Sequence, residues 1–389
     1  MDRINTDTLR AGNVFSAPVY SEGNNLLVPA KVPLLQRDID FLKKWGIDSV
    51  LTEGYILPDK EITTPLLNPP KPVELVDVKI SISDVQENSI PYRAYRSLIE
   101  KLDAVFVGIK SGIDMEMRIV ENIGSQLLKD LRSYPNNFIG YILGGEVTGH
   151  ELAKSSVNTA ILSALTAQGL QLQERKINNI VSGALLHDIG MIRLSKGLTE
   201  KKGGLSNAEF EQIKSHTIHS SKIVSKELFG NNEVNLIALH HHERWDGDGY
   251  PDHMAGAAID IGARIVSVAD AFEAMVSKKS YRKSIVGYQA VKNMLSDNGR
   301  RFDPSVIIAF TKIMGIYPIG SIILLNDESV ARVLSINTNA PLRPVVELVI
   351  NKSGEVSKSG EGEIINLLTK KTLFIKNAID PAEFSGTDE

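Results

Sequence analysis

Apolar and polar positions alternate along the first 57 residues and then take up helical spacing. VFSAPVY (14–20) and NNLLVP (24–29) predict short strands, QRDIDFLKKWG (36–46) a helix stopped by Gly46, and IDSVLT (47–52) a returning strand. Together they predict a small α+β unit over 1–57. Five prolines then fall in the sixteen residues from Leu57 to Pro72. Proline lacks the backbone donor that a helix interior or a central strand needs, so 58–90 reads as a linker. Beyond Pro91 an amphipathic stripe appears. Leu98, Leu102, Val105 and Ile109 are followed by Ile119, Ile123, Leu127 and Leu131, up to Tyr134-Pro135. One long helix or a helical hairpin is expected over 91–139. Packing of that stripe against the next domain is preferred, with a homodimer through residues 92–132 as the alternative. Residues 140–315 keep the helical texture. From Tyr317 the period shortens to two in GSIILLN, SVARVLSI, RPVVELVI and KTLFIK, with turn residues between, so 316–389 predicts a β-rich appendix.

Composition narrows the class. With 389 residues there is room for two or three domains, and the formal charge of −4 is too small to argue for a nucleic-acid polymer or a membrane surface. No apolar run approaches the roughly 18 residues of a spanning helix, the N-terminus has no signal-peptide core, and cysteine is absent. A cytoplasmic protein without disulfides or thiolate metal ligands is expected.

Histidine changes the picture. All eight histidines lie between His150 and His253, and three are adjacent in LIALHHHERWDGDGYP (236–251). ALLHDIG sets His187 and Asp188 at the end of an apolar helix. IKSHTIHSSKIV sets His216 and His219 about a turn apart, and IVSVADAFEAM puts Asp270 inside an apolar helix. A lone histidine is more often hydrogen-bonded or exposed than a ligand, and a buried aspartate can be satisfied by donors alone. The conjunction alters that weighing. Imidazoles and carboxylates without thiols suit iron, manganese or zinc in a hydrolytic site. A carboxylate also has two oxygens, so Asp188 can bridge two cations while His187 holds one. Two metals roughly 3.5–4 Å apart can activate a bridging hydroxide and clamp a phosphoryl group.

The ordered set HDIG, SH, HHERWDGDGYP, ARIVSVADAFEAM and YRK, with RFDPSVIIAF near its end, resembles the HD-GYP family, a branch of the HD phosphohydrolases, over about residues 146–312. The resemblance implies a multidomain, mainly α protein. Its all-helical HD-GYP domain (140–315) would be flanked by the small N-terminal α+β unit and the C-terminal β-rich extension. It implies two or three divalent metals, iron or manganese or zinc, and hydrolysis of the bacterial messenger cyclic di-GMP to pGpG and GMP. The residues that match as metal ligands are Glu151 (for a third metal), His187, Asp188, His216, His241, His242 and Asp270, with His187 and Asp188 also carrying the chemistry. Tyr281, Arg282, Lys279 and Tyr250 match substrate-side positions. Lys279 stands where arginine is usual and lacks its bidentate fork. His240, His219, His253 and His150 have no ligand counterpart.

Two positions depart from that pattern. Met191 stands where HDIGK has a lysine facing phosphate, and Ser155, in ELAKSSVN, stands where a metal-binding histidine belongs. His150 lies five residues earlier, about 140° round a helix, and does not replace it. The chain therefore reads first as a metal-dependent cyclic di-GMP phosphodiesterase of reduced activity. A catalytically weak cyclic-dinucleotide receptor with protein signalling partners is the second reading, and a phosphohydrolase of another nucleotide the third.

Overall fold

In a computed structural model, residues 2–58, 89–144, 149–277, 287–337 and 340–379 are described, apart from 22–24, 29, 35, 45–46, 200, 202, 298–299, 359 and 371 within them. The chain divides into two compact units, Val85–Ile313 and Met1–Asp84 together with Met314–Glu389. The proline-rich stretch lies almost wholly outside the described residues.

The second of these units holds two sheets. β1 (Asp2–Asn5), β2 (Val19–Ser21), β3 (Asn25–Val28) and β4 (Ser49–Thr52) pair antiparallel in the order β1-β4-β2-β3, with helix α1 (Gln36–Lys44) between β3 and β4 in sequence. Its core gathers Phe15, Val19, Leu27, Leu34, Ile39, Leu42 and Val50, and Leu342 and Phe374 from the C-terminal part pack on it. The C-terminal sheet is also antiparallel. It comprises β5 (Ile322–Leu325), β6 (Val330–Ser335), β7 (Val345–Ile350), β8 (Ile364–Asn366) and β9 (Ile375–Ile379) in the order β8-β7-β6-β5-β9. Most alternating patterns thus form strands, although β9 begins only at Ile375, near the end of KTLFIK, while β1 and β8, each three or four residues long, carry too little pattern to be read beforehand.

The other unit is helical. The stripe from Leu98 folds as a hairpin of α2 (Ile90–Lys110) and α3 (Met117–Ser133). Ser89 caps α2 by accepting the Tyr92 amide, and Pro91 sits in the first turn, where its missing donor is harmless. Leu98, Leu102, Val105 and Ile109 bury on α2, and Ile123, Leu127 and Leu131 on α3. Behind α4 (Pro135–Gly144) these faces pack on α5 (Glu151–Gly169) and α6 (Glu174–Leu186). After α6 come a 3-10 turn (Ile189–Arg193), α7 (Lys196–Thr199), α8 (Asn207–Lys214) and α9 (His216–Lys222). Then follow α10 (Asn232–His240), α11 (Ile261–Val276), α12 (Gly287–Ser296) and α13 (Pro304–Met314). Helix α5 is buried on nearly all sides, and it takes α6 and α11 against it. Among the described residues no helix is long and apolar enough to cross a membrane.

Candidate metal centre

Four helices bring their ends or inner faces to one place. His187 closes α6 and Asp188 opens the 3-10 turn after it; His216 begins α9; His241 and His242 follow α10; Asp270 lies on α11. The C-terminal ends of α6 and α10 point their partial negative charge at this spot, which favours a cation. Gly190 sets how closely the turn after Asp188 meets α9. A Cβ there would lie 2.1 Å from the His216 carbonyl oxygen and 2.6 Å from the Ser220 nitrogen. Without it the Gly190 amide donates to Ser220 Oγ at 2.8 Å, and Asp188 Oδ1 comes within 3.1 Å of His216 Nε2.

Asp188 uses both oxygens, in two directions. Oδ1 faces His216 Nε2 at 3.1 Å and His241 Nε2 at 3.6 Å, whereas Oδ2 faces His187 Nε2 at 3.5 Å. His187 Nε2 is in turn 3.6 Å from Asp270 Oδ1. The donors therefore form two groups that share Asp188: Asp188, His216, His241 and His242, and His187, Asp188 and Asp270, each with one donor atom per residue within 4.8 Å of the others.

The imidazoles are held in one tautomer. The Nδ1–H of His187 donates to the Ala184 carbonyl (2.7 Å), that of His216 to Ile213 (2.6 Å) and that of His241 to Ala238 (3.1 Å). Each ring thus turns its Nε2 inward, as histidine ligands do when their second nitrogen is fixed by a carbonyl. The inward atoms are left in need of a positive partner. His216 Nε2 and His241 Nε2 lie 3.3 Å apart with a single carboxylate oxygen, Asp188 Oδ1, between them to share, and His187 Nε2 is buried without a hydrogen bond. Bare buried polar atoms of this kind are costly. A divalent cation in each group would satisfy them, so the donor set fits metal.

The ionisation pattern agrees. Burial alone would raise Asp188, but His187 and hydrogen bonds from His216 and His241 hold it well below the carboxylate range. Asp270 sits near 2 for a similar reason: burial is overcome by His187. Burial would lower His187, yet Asp188 and Asp270 lift it to about 9. Burial lowers His241 and His242, and the neighbouring histidine charges add to it. Two anions and two neutral imidazoles around a contested proton form a place where metal can displace that proton.

The GYP loop closes one side. Gly249 packs on the loop's own start, where a Cβ would meet the Arg244 nitrogen at 2.3 Å and Glu243 Cα at 2.5 Å. Glu243, buried, accepts the amides of Asp252 (2.7 Å) and Met254 (3.1 Å). The Tyr250 ring rests on His242, centroids 4.9 Å apart and 32° between planes. His240 turns away from the cluster to bond Asp252 at 2.9 Å, and His150 pairs with Asp103 at 2.7 Å.

Glu151 belongs to neither donor group. Glu151 opens α5 with its side chain 60 % exposed and pairs with Lys154. Ser155 is buried and donates to Glu273 Oε2 at 2.7 Å, and Asn158 donates to Glu273 Oε1 at 3.2 Å while accepting from the Tyr95 hydroxyl at 2.6 Å. Met191, half-buried in the 3-10 turn, brings no charge. Lys279, Tyr281 and Arg282 lie outside the described residues. Sequence reasoning passed over Glu273, Asn158 and Glu243. The one signal available was a glutamate within an apolar helix, a turn beyond Asp270.

Residues 147–306 match the family model described as HD domain, and 322–387 that described as KOW domain associated with HD domain. With the HD pair and the GYP loop closing on one donor cluster, the assignment is decided. Residues 147–306 form an HD domain, of HD-GYP type. This HD-GYP chain is 25% identical over 372 residues to cyclic di-GMP phosphodiesterase PdeB of Borreliella burgdorferi, covering 95% of the chain and 94% of that protein. It is 29% identical over 238 residues to cyclic di-GMP phosphodiesterase PA4108 of Pseudomonas aeruginosa (61% and 56% covered). It is 36% identical over 152 residues to the cyclic di-GMP phosphodiesterase response regulator RpfG of Xanthomonas campestris pv. campestris (39% and 40%). The HD-GYP chain thus spans nearly all of PdeB but about half or less of the other two.

Proposed function

We propose that the chain is a metal-dependent phosphodiesterase that hydrolyses cyclic di-GMP to pGpG and then GMP. One observation carries the reading: the two oxygens of Asp188 face two donor groups, each of which would hold a divalent cation. When bound, such cations supply Lewis acidity toward a phosphodiester and ease the ionisation of water. The remaining work falls to the chain. His216, His241 and His242 would hold one cation and His187 and Asp270 the other, and the backbone carbonyls behind three of these rings keep them from turning. Tyr250 roofs His242 and offers a ring against which a base can stack. In the net step a water oxygen bonds phosphorus and the P–O3′ bond breaks. The water's protons pass to the leaving oxygen and to solvent. PdeB, matched along almost its whole length, supports cyclic di-GMP as the substrate. Iron or manganese is the expected occupant, by donor type.

Ser155 favours a second reading. Its hydroxyl is committed to Glu273, and Met191 brings no cation to the turn after Asp188, so a slow enzyme that acts chiefly as a cyclic-dinucleotide receptor follows from the same site. Anaerobic purification, metal quantification and chromatography of cyclic di-GMP reactions separate the two. Metal-replete protein that yields pGpG, with Asp188→Ala inactive, supports the enzyme. Tight binding without product supports the receptor. Release of product only from a different cyclic dinucleotide overturns the substrate assignment.

A further inference from the structure

A cyclic dinucleotide carries two phosphodiesters, and only one can lie at the metal donors. The other, on the far side of the macrocycle, remains an anion that the protein must meet. Among the described residues most cations near this side are already neutralised. Arg244 forks onto Asp246 (3.0 and 2.6 Å), Arg264 is paired with Asp303 (2.6 Å), and Arg193 grips both oxygens of Glu227. Lys214 lies over the Tyr250 ring at 5.4 Å but its ammonium bonds Glu211 at 2.7 Å.

Arg301 differs. Its side chain is exposed, rests over the Phe302 ring at 5.0 Å, and among the described residues makes no hydrogen bond or ion pair. Its backbone is nevertheless tied to the GYP loop. The Trp245 amide donates to the Arg301 carbonyl at 3.0 Å, and the Asp246 amide to the Arg300 carbonyl at 2.9 Å. The arginine is thus carried on the same support as Tyr250.

We propose that Arg301 holds the phosphodiester of the cyclic dinucleotide that lies away from the metal donors, and so sets affinity for a doubly charged ring over singly charged esters. A guanidinium presents paired donors in the plane that phosphate oxygens accept, and an arginine with no internal partner surrenders no ion pair to do so. The inference rests on the reading of the site as a phosphodiesterase for such rings.

The test compares wild type, Arg301→Ala and Arg301→Lys, all metal-saturated, with cyclic di-GMP as substrate. The exposed side chain leaves the fold intact in both variants. Arg301→Ala should raise KM about tenfold with kcat within twofold and metal content unchanged, and Arg301→Lys should fall between, since it keeps charge but loses the fork. A KM for Arg301→Ala within twofold of wild type overturns the assignment, as does a fall in kcat at constant KM. If metal-replete wild type binds cyclic di-GMP without turning it over, the phosphodiesterase reading fails. Equilibrium binding then decides for Arg301: a tenfold weaker Kd in Arg301→Ala supports its role, and an equal Kd overturns it. Wild type that neither binds nor hydrolyses the dinucleotide overturns both.

Discussion

Raising the pH of the metal-free protein from 6.5 to 9 should weaken its fold. His187 is the reason. Folded, it titrates near 9 because Asp188 and Asp270 face its buried Nε2 at 3.5 and 3.6 Å; unfolded, it returns to about 6.5. A group raised in the folded state stabilises fully below its unfolded pKa and loses that contribution as pH climbs through the folded one. Two and a half units at about 1.4 kcal/mol each set an upper bound of about 3.5 kcal/mol, and Asp188 and Asp270 share the same contact, so their shifts are not added. His216, raised by Asp188 against its burial, acts in the same direction. His241 and His242, lowered first by burial, act only on the acid side, where stability falls as pH drops below about 6.5. The metal-free optimum therefore lies near pH 6.5. Cation binding must expel the His187 proton, so apparent affinity should improve by about tenfold per pH unit per proton released below pH 9. Urea melts of chelator-treated and manganese-loaded protein at pH 6.5 and 9, with manganese titrations at both, measure each quantity. Metal-free stability that is flat or rising over this window, or a pH-independent affinity, refutes the reasoning.

Other outcomes follow from single contacts. Gly190→Ala places a methyl against the backbone of α9, where nothing flexible can yield; unfolding free energy should drop by about 3 kcal/mol or more and metal content should fall with it, read by urea melts and metal analysis. Ser155→Ala removes a donor from a buried carboxylate and should lower stability by about 1–3 kcal/mol without changing the number of cations bound; loss of a cation would show that Ser155 is a ligand after all. Met191→Lys adds a cation beside the turn that carries Asp188, and kcat/KM for cyclic di-GMP should rise by about tenfold, with no gain in metal-replete protein counting against that placement.

Much of this was legible in the chain because histidine and aspartate announce themselves by type. His187, Asp188, His216, His241, His242 and Asp270 stand out as imidazoles and carboxylates at helix ends or within apolar helices, and the structure gathers all six. Serine announces nothing. That Ser155 would bond Glu273, 118 residues away, depends on α5 and α11 packing face to face, which spacing along one helix does not encode. Arg301 was hidden similarly: only the backbone bonds from Trp245 and Asp246 carry it to the GYP loop. Alternation foretold strands in both sheets, β1 and β8 excepted, but a period of two says which residues share a face and not which sheet joins which unit. The grouping of the N-terminal sheet with the C-terminal one, through Leu342 and Phe374, therefore came only with the fold. The hairpin at 90–133 had been open between one helix and two. The turn at Ser111–Gly112, where Gly112 takes a φ of 76°, decides it for two.

The central claim is that Asp188 lies between two cations, and anomalous scattering from manganese-soaked crystals grown without oxygen tests it directly. The account predicts two peaks roughly 3.5–4 Å apart, one oxygen of Asp188 on each, with His216, His241 and His242 around the first and His187 and Asp270 at the second. A single peak, or two peaks that leave either oxygen of Asp188 uncoordinated, would contradict it.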